Sequence, residues 1–250
     1  MRKGTHLKIT YKVSKFYNLP KNLEKILLKA VIYPDENRDK KINYRKGYFY
    51  VTNENHHRVD PEKIINYIFK ARLEYLAKNY EYSMVNLGIA LHYIQDRCMV
   101  SGTLHDEREN KILNFKISEE AINRGKKEEI NLFSDLKNIL YQIKPYKSPE
   151  KIIYNACYYS SLVLKAVLNT NPPPKELLEM YEKYREKYSQ EIIPLIITVI
   201  VLTLVFSLFF KNLFIILIGT IIVLIITGFK DKELEENLSW YGIERGSPKS

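Results

Sequence analysis

The sequence predicts an all-helical domain followed by a pair of apolar helices that cross a membrane. Ile, Leu, Lys and Glu dominate the 250 residues and glycine is held to nine, which favours helix over turn-rich sheet. Apolar residues before position 170 recur at three- and four-residue spacing, the stripe of an amphipathic helix. Near the C-terminus two uncharged stretches, 192–210 and 213–229, are parted only by Lys211-Asn212. Each approaches the length of about 20 residues, with about 17 sufficient, that a helix needs to cross hydrocarbon. The chain therefore divides into a helical domain at 1–170, a Pro-rich break and charged connecting helix at 171–191, a transmembrane hairpin at 192–229 and a polar tail at 230–250.

The elements follow in order. A first helix is expected over 8–17. Pro20 opens a second, with Leu23, Ile26, Leu27 and Ala30 on one stripe, ending near Tyr33-Pro34-Asp35. Residues 37–55 hold aromatics without a helical period and are expected to be a polar loop. Asp60-Pro61 supplies an N-cap and first helical residue for a helix through Ile64, Ile65, Ile68, Ala71, Leu73 and Leu76. Another spans about 82–100. Ser118, with Glu120 and Ala121, starts a long helix ending before Pro145, and Ser148-Pro149 starts one reaching about Leu168. Asn171-Pro172-Pro173-Pro174 breaks the chain before a charged helix at 175–189.

The net charge is +10, and it is unevenly placed: residues 1–190 carry 34 Lys and Arg against 23 Asp and Glu. A basic domain beside a membrane suits anionic headgroups, nucleic acid or other phosphate-bearing partners; a Lys-rich solvated surface gives the same composition. No protein partner is inferable. Lys183, Arg185 and Lys187 precede the apolar pair, Lys230 and Lys232 follow it, and its turn carries only Lys211. By the positive-inside rule this places a multi-pass protein in the cell membrane with the N-terminal domain and the tail cytoplasmic. The start Met1-Arg2-Lys3 is basic, but Gly4-Thr5-His6-Leu7-Lys8 is not the apolar run of a secretory leader. Cys98 and Cys157 mark no disulfide framework.

Five histidines are present: His6, His56, His57, His92 and His105. In Leu91-His92-Tyr93-Ile94-Gln95-Asp96, His92 and Asp96 stand four apart, one turn up the same helix face. His105 and Glu109 repeat the spacing thirteen residues later. Imidazole with carboxylate is a donor set for Zn²⁺ in an open catalytic site. His92 lies within the apolar run Leu87-Gly88-Ile89-Ala90-Leu91, where a His and an Asp cost desolvation that metal ligation relieves. His56-His57, just before the Asp60-Pro61 helix start, is either a loop that reaches the site or a solvated pair. His6 is either a ligand or a surface residue at a helix start, and Asp35 a ligand or a turn residue.

These residues, taken together, resemble the zinc-dependent phospholipase C and S1/P1 nuclease superfamily. Gly4-Thr5-His6 resembles its Gly-Thr-His, Tyr33-Pro34-Asp35 its Tyr-Pro-Asp, and Asn79-Tyr80 its Gly-Asn-Tyr. The run from Leu87-Gly88 to Asp96 resembles its Leu-Gly-x-Ala-x-His-Tyr-x-x-Asp, and His105 with Glu109 its last His-x-x-x-Glu. The resemblance covers about 4–110 by motif and extends to about 170 by helix type alone. It implies a helical bundle of phospholipase C/P1 nuclease type with zinc ligands His6, Asp35, His56 or His57, His92, Asp96, His105 and Glu109, and Asp35 as the proposed catalytic base. The family has a His about six residues after the Asp that Asp96 matches, where this chain has Cys98-Met99-Val100-Ser101-Gly102, and it opens on a Trp, whereas the single Trp of this chain is Trp240 in the tail. Two zinc ions are therefore expected, a third if His6 completes its site.

The implied activity is hydrolysis of a phosphodiester at the membrane, with a phospholipid headgroup as the first substrate. Cleavage of single-stranded nucleic acid is the alternative within the same chemistry. A degenerate, metal-stabilised module that docks partners at the membrane is the non-enzymatic alternative.

Overall fold

The computed structural model describes residues 1–37, 40–45, 48–53, 59–100, 105–210, 214–228 and 231–243. They form twelve α-helices and one strand pair in two compact units, Met1–Asn171 and Pro172–Ser250.

The first unit is built around α4 (Tyr80–Arg97), which packs against α2 (Lys21–Glu36), α3 (Pro61–Leu76), α8 (Pro149–Leu168) and α1 (Lys3–Phe16). Every residue from Leu87 to Asp96 is buried, as for a helix surrounded by others rather than resting on a core with one stripe. The apolar run that drew attention in the sequence is thus the centre of the bundle. Gly88 sets how closely α2 approaches it. A Cβ there would stand 2.4 Å from Ala30 Cβ and 2.9 Å from Leu27 O. One turn further along both helices, His92 Nδ1 meets Val31 O at 2.8 Å, and the following turn of α2 carries Asp35.

Helix α8 is the second pillar, covered by α6 (Glu119–Lys127), α1, α3 and α5 (His105–Leu113). The buried Arg72 of α3 reaches its C-terminal end and donates to Val167 O and Asn169 O. A guanidinium there satisfies terminal carbonyls and complements the helix dipole. Asp60 and Ser118 cap α3 and α6 through Glu62 N and Ala121 N, at 3.0 and 3.2 Å, as their residue types require.

Several boundaries differ from expectation. Helix α1 starts at Lys3, five residues early, so His6 lies inside a helix and is buried. Helix α2 runs through Pro34 to Glu36, so Asp35 belongs to its last turn rather than to a loop. The stretch foreseen as a polar loop contains an antiparallel pair, β1 (Lys40–Arg45) and β2 (Tyr48–Asn53), in register Ile42↔Val51. Its aromatic and β-branched residues prefer extended backbone. The single long helix expected from Ser118 is two, α6 and α7 (Phe133–Tyr141). Glu128 turns extended at the end of α6, and Lys165 Nζ holds its carbonyl at 2.7 Å. Asp135 then accepts from Leu132 N at 3.2 Å to start α7.

In the second unit α9 (Lys175–Lys187) continues through a π turn at Tyr188–Ile192 into α10 (Ile193–Phe210), one 36-residue helix whose C-terminal half is apolar enough to cross a membrane. Leu208 and Phe209 are 79% and 80% exposed, unlike the core helix of a water-soluble fold. Helix α11 (Phe214–Gly228) packs on α10, close enough at Gly219 that a Cβ would stand 2.2 Å from Thr203 Oγ1. The region foreseen as a polar tail holds α12 (Lys232–Trp240), which packs on α9 and buries Leu234, Leu238 and Trp240.

Candidate metal centre

Four helices bring the expected side chains to one place. Helix α1 supplies His6, α2 supplies Asp35, α4 supplies His92 and Asp96, and α5 supplies Glu109. One ligand atom from each of His6, Asp35 and His92 lies within 4.8 Å of the others. Asp96 bridges the two imidazoles: its Oδ1 is 3.3 Å from His6 Nε2 and its Oδ2 is 3.4 Å from His92 Nε2. Asp35 Oδ1 is 3.8 Å from His92 Nε2 on the other side. The imidazole rings stack with centroids 4.2 Å apart.

The far side of each ring explains why the Nε2 atoms face inward. His92 Nδ1 lies against Val31 O, a carbonyl that only accepts, so Nδ1 carries the hydrogen. His6 Nδ1 lies 2.7 Å from Gln95 Oε1 and donates likewise. A neutral imidazole with its proton on Nδ1 presents Nε2 as a bare lone pair. Metal-binding histidines are held by such outer hydrogen bonds. Burial pushes His6 below its ordinary pKa and His92 adds to this, against the opposing pull of Asp96, which favours the neutral, ligating form.

The interior of the cluster is therefore two lone pairs among carboxylates. His6, His92 and Asp96 are at most 1% exposed. His6 Nε2 is buried and makes no hydrogen bond. Lone pairs and carboxylates gathered out of water offer a donor set that could hold a cation, and its N/O chemistry is of the kind that suits Zn²⁺ or a similar ion. The buried Met1 α-ammonium contacts Asp96 Oδ1, giving that carboxylate a positive partner within the chain, and stands 3.4 Å from Glu109 Oε1. Arg2 Nε lies 3.8 Å from Glu109 Oε2.

Of the residues singled out in the sequence, the structure thus gathers His6, Asp35, His92 and Asp96, with Glu109 alongside. His105 begins α5, but its side chain lies outside the described residues, as do His56 and His57. Cys98, which begins the stretch that lacks the family's histidine, donates its thiol to Ile94 O at 3.3 Å. Burial pushes that thiol strongly up, against the thiolate a metal needs. Sequence reasoning passed over Gln95 and Val31. The signal for Gln95 was a polar amide beside His92 and Asp96 in the buried run that starts at Leu87; Val31 acts through its backbone, which no residue type announces.

Compared with known protein families, curated proteins and solved structures, the chain matches none. Fold and site together describe a helical protein with a His–Asp–His cluster, its two histidines buried, that could hold a metal ion. The same chain carries a helix long and apolar enough to cross a membrane.

Proposed function

We propose that this protein is a membrane-anchored, metal-dependent phosphoesterase that hydrolyses a phosphodiester at the bilayer surface, a phospholipid headgroup being the favoured substrate. The observation that carries this is the convergence of His6, Asp35 and His92, which are far apart in sequence, with one ligand atom of each within 4.8 Å of the others. Bound zinc, two ions on this proposal, would supply Lewis-acid polarisation of a phosphoryl oxygen and acidify a water toward neutrality. His6, His92 and Asp96 would hold the metal from the buried side. Asp35, at 14% exposure, is more accessible than these three. Its carboxylate is the group placed to orient the attacking water and take its proton. The basic excess of residues 1–190 draws a phosphate-bearing substrate. Helices α10 and α11 form a transmembrane pair that keeps the domain beside lipid, with the N-terminal domain and the tail in the cytoplasm.

The test uses the full chain in detergent. Metal content is measured, and hydrolysis of bis-p-nitrophenyl phosphate, lipid and single-stranded DNA or RNA is followed before and after chelation. Chelator-sensitive turnover on lipid but not on nucleic acid is expected. The reverse preference would shift the assignment to a nuclease, and metal without turnover on any phosphoester would leave a binding module. His92→Ala should lose metal and activity together, whereas Asp35→Asn should keep most metal and lose ~10²- to 10⁴-fold in rate, the usual worth of a positioned base. Unchanged metal content in H92A would refute the ligand assignment. A reporter fused to the C-terminus reads out the topology.

A further inference from the structure

We infer that Gln95 is a positioning residue that sets the tautomer of His6 and thereby keeps Nε2 aimed at the carboxylates as a bare lone pair; its functional meaning rests on the metal centre proposed above. Gln95 is wholly buried on α4, one residue before Asp96. Both of its N–H donors and its carbonyl oxygen are engaged. Nε2 donates to Thr10 Oγ1 of α1 at 3.1 Å and to Ser160 Oγ of α8 at 3.0 Å. Oε1 faces His6 Nδ1 at 2.7 Å. An amide has two N–H donors at one end and only an acceptor at the other. With both donors engaged by hydroxyls on two helices, the carbonyl end points at His6 and admits only Nδ1–H.

The alternative tautomer is close at hand, which is why the hold matters. His6 Nε2 lies 3.3 Å from Asp96 Oδ1. If Nδ1 lost its acceptor, a proton on Nδ1 would be buried without a partner, at a cost of about 1–3 kcal/mol. The proton would then move to Nε2 and point at Asp96, and that nitrogen would no longer accept a metal. Gln95 opposes this switch from a position that touches neither metal nor substrate. The same amide links α1, α4 and α8, so it ties the orientation of His6 to the packing of the bundle.

The experiment measures two quantities on the full chain in detergent. Long-range ¹H–¹⁵N spectra of the metal-free protein report which His6 nitrogen carries hydrogen, and competition with a fluorescent chelator reports Zn²⁺ affinity. The wild type should show Nδ1–H. Gln95→Met, similar in length but a poor acceptor, should move the proton to Nε2 and weaken Zn²⁺ by about 10- to 100-fold, the usual effect of losing such a partner. Gln95→Glu restores an acceptor and should return both the Nδ1–H signal and near-wild-type affinity, which a residue that merely packs would not do. An Nε2–H wild type overturns the inference even if Q95M does not fold, and so does a folded Q95M with unchanged tautomer and affinity. A wild type that binds no Zn²⁺ yet shows the Nδ1–H signal and its loss in Q95M refutes the metal proposal while upholding Gln95.

Discussion

At the C-terminal end of α1, Tyr17 donates its hydroxyl to Ser161 O at 2.9 Å. This one phenol ties the helix carrying His6 to α8. Burial pushes its pKa up to about 12, whereas an unfolded tyrosine titrates near 10. Between those values the folded chain keeps a proton that the unfolded chain sheds. The contribution is therefore complete below about pH 10 and is lost as pH rises through about 12. Thermal melts of wild type and Tyr17→Phe should differ at pH 9 by about 0.5–1.5 kcal/mol, the net worth of one hydrogen bond, and the gap should close on approaching pH 12. A gap that widens with pH would contradict the assigned shift. At this scale the candidate site was legible where residue types are diagnostic: His92 with Asp96 at helical spacing, and His6 and Asp35 through their tripeptides. The outer hydrogen bonds were not legible, because a backbone carbonyl such as Val31 O has no residue signature.

Helix α4 shows what periodicity reads well and what it misses. Its unbroken apolar run announced a buried helix, and α3 and α8 were placed within a few residues by their capping signals. The break between α6 and α7 was missed because it depends on Lys165 from α8 capturing the Glu128 carbonyl, a tertiary contact with no local trace. The β1–β2 pair was missed because its aromatics were weighed for helical period alone. Gly88 was quoted for its place in a motif, and its physical role is steric. It admits the α2 backbone against α4 one turn from His92. Gly88→Ala should force the two helices apart and cost about 1–3 kcal/mol, typical of overpacking. It should also weaken metal binding, since Asp35 and His92 sit on opposite sides of that contact. A denaturant midpoint and a Zn²⁺ titration check both; wild-type values for the pair would show that α2 and α4 have room to spare.

The whole molecule joins two physical regimes in one chain. Residues 1–171 have their own core, with Ile9, Leu27, Ile68, Leu87, Ile94 and Ile152 at most 0% exposed. Expressed alone they should remain soluble and hold as much metal as the full chain, while the full chain should stay with membranes through alkaline carbonate extraction. Aggregation of the fragment would contradict the independence of its core, and release by carbonate would contradict the membrane assignment. The π turn between α9 and α10 bears on how the second regime is built. A π turn amounts to one residue inserted into an α-helix. Deleting Gln190 should therefore let the α-helical ladder run on with the apolar segment near its present phase, whereas deleting a residue from the regular turns of α9, such as Lys183, should draw that segment about 1.5 Å along its axis and swing it about 100° around it. The charged half and the apolar half of this rod thus keep their phase although one surplus residue lies between them, a setting that crosslinking from one half to the other can read directly.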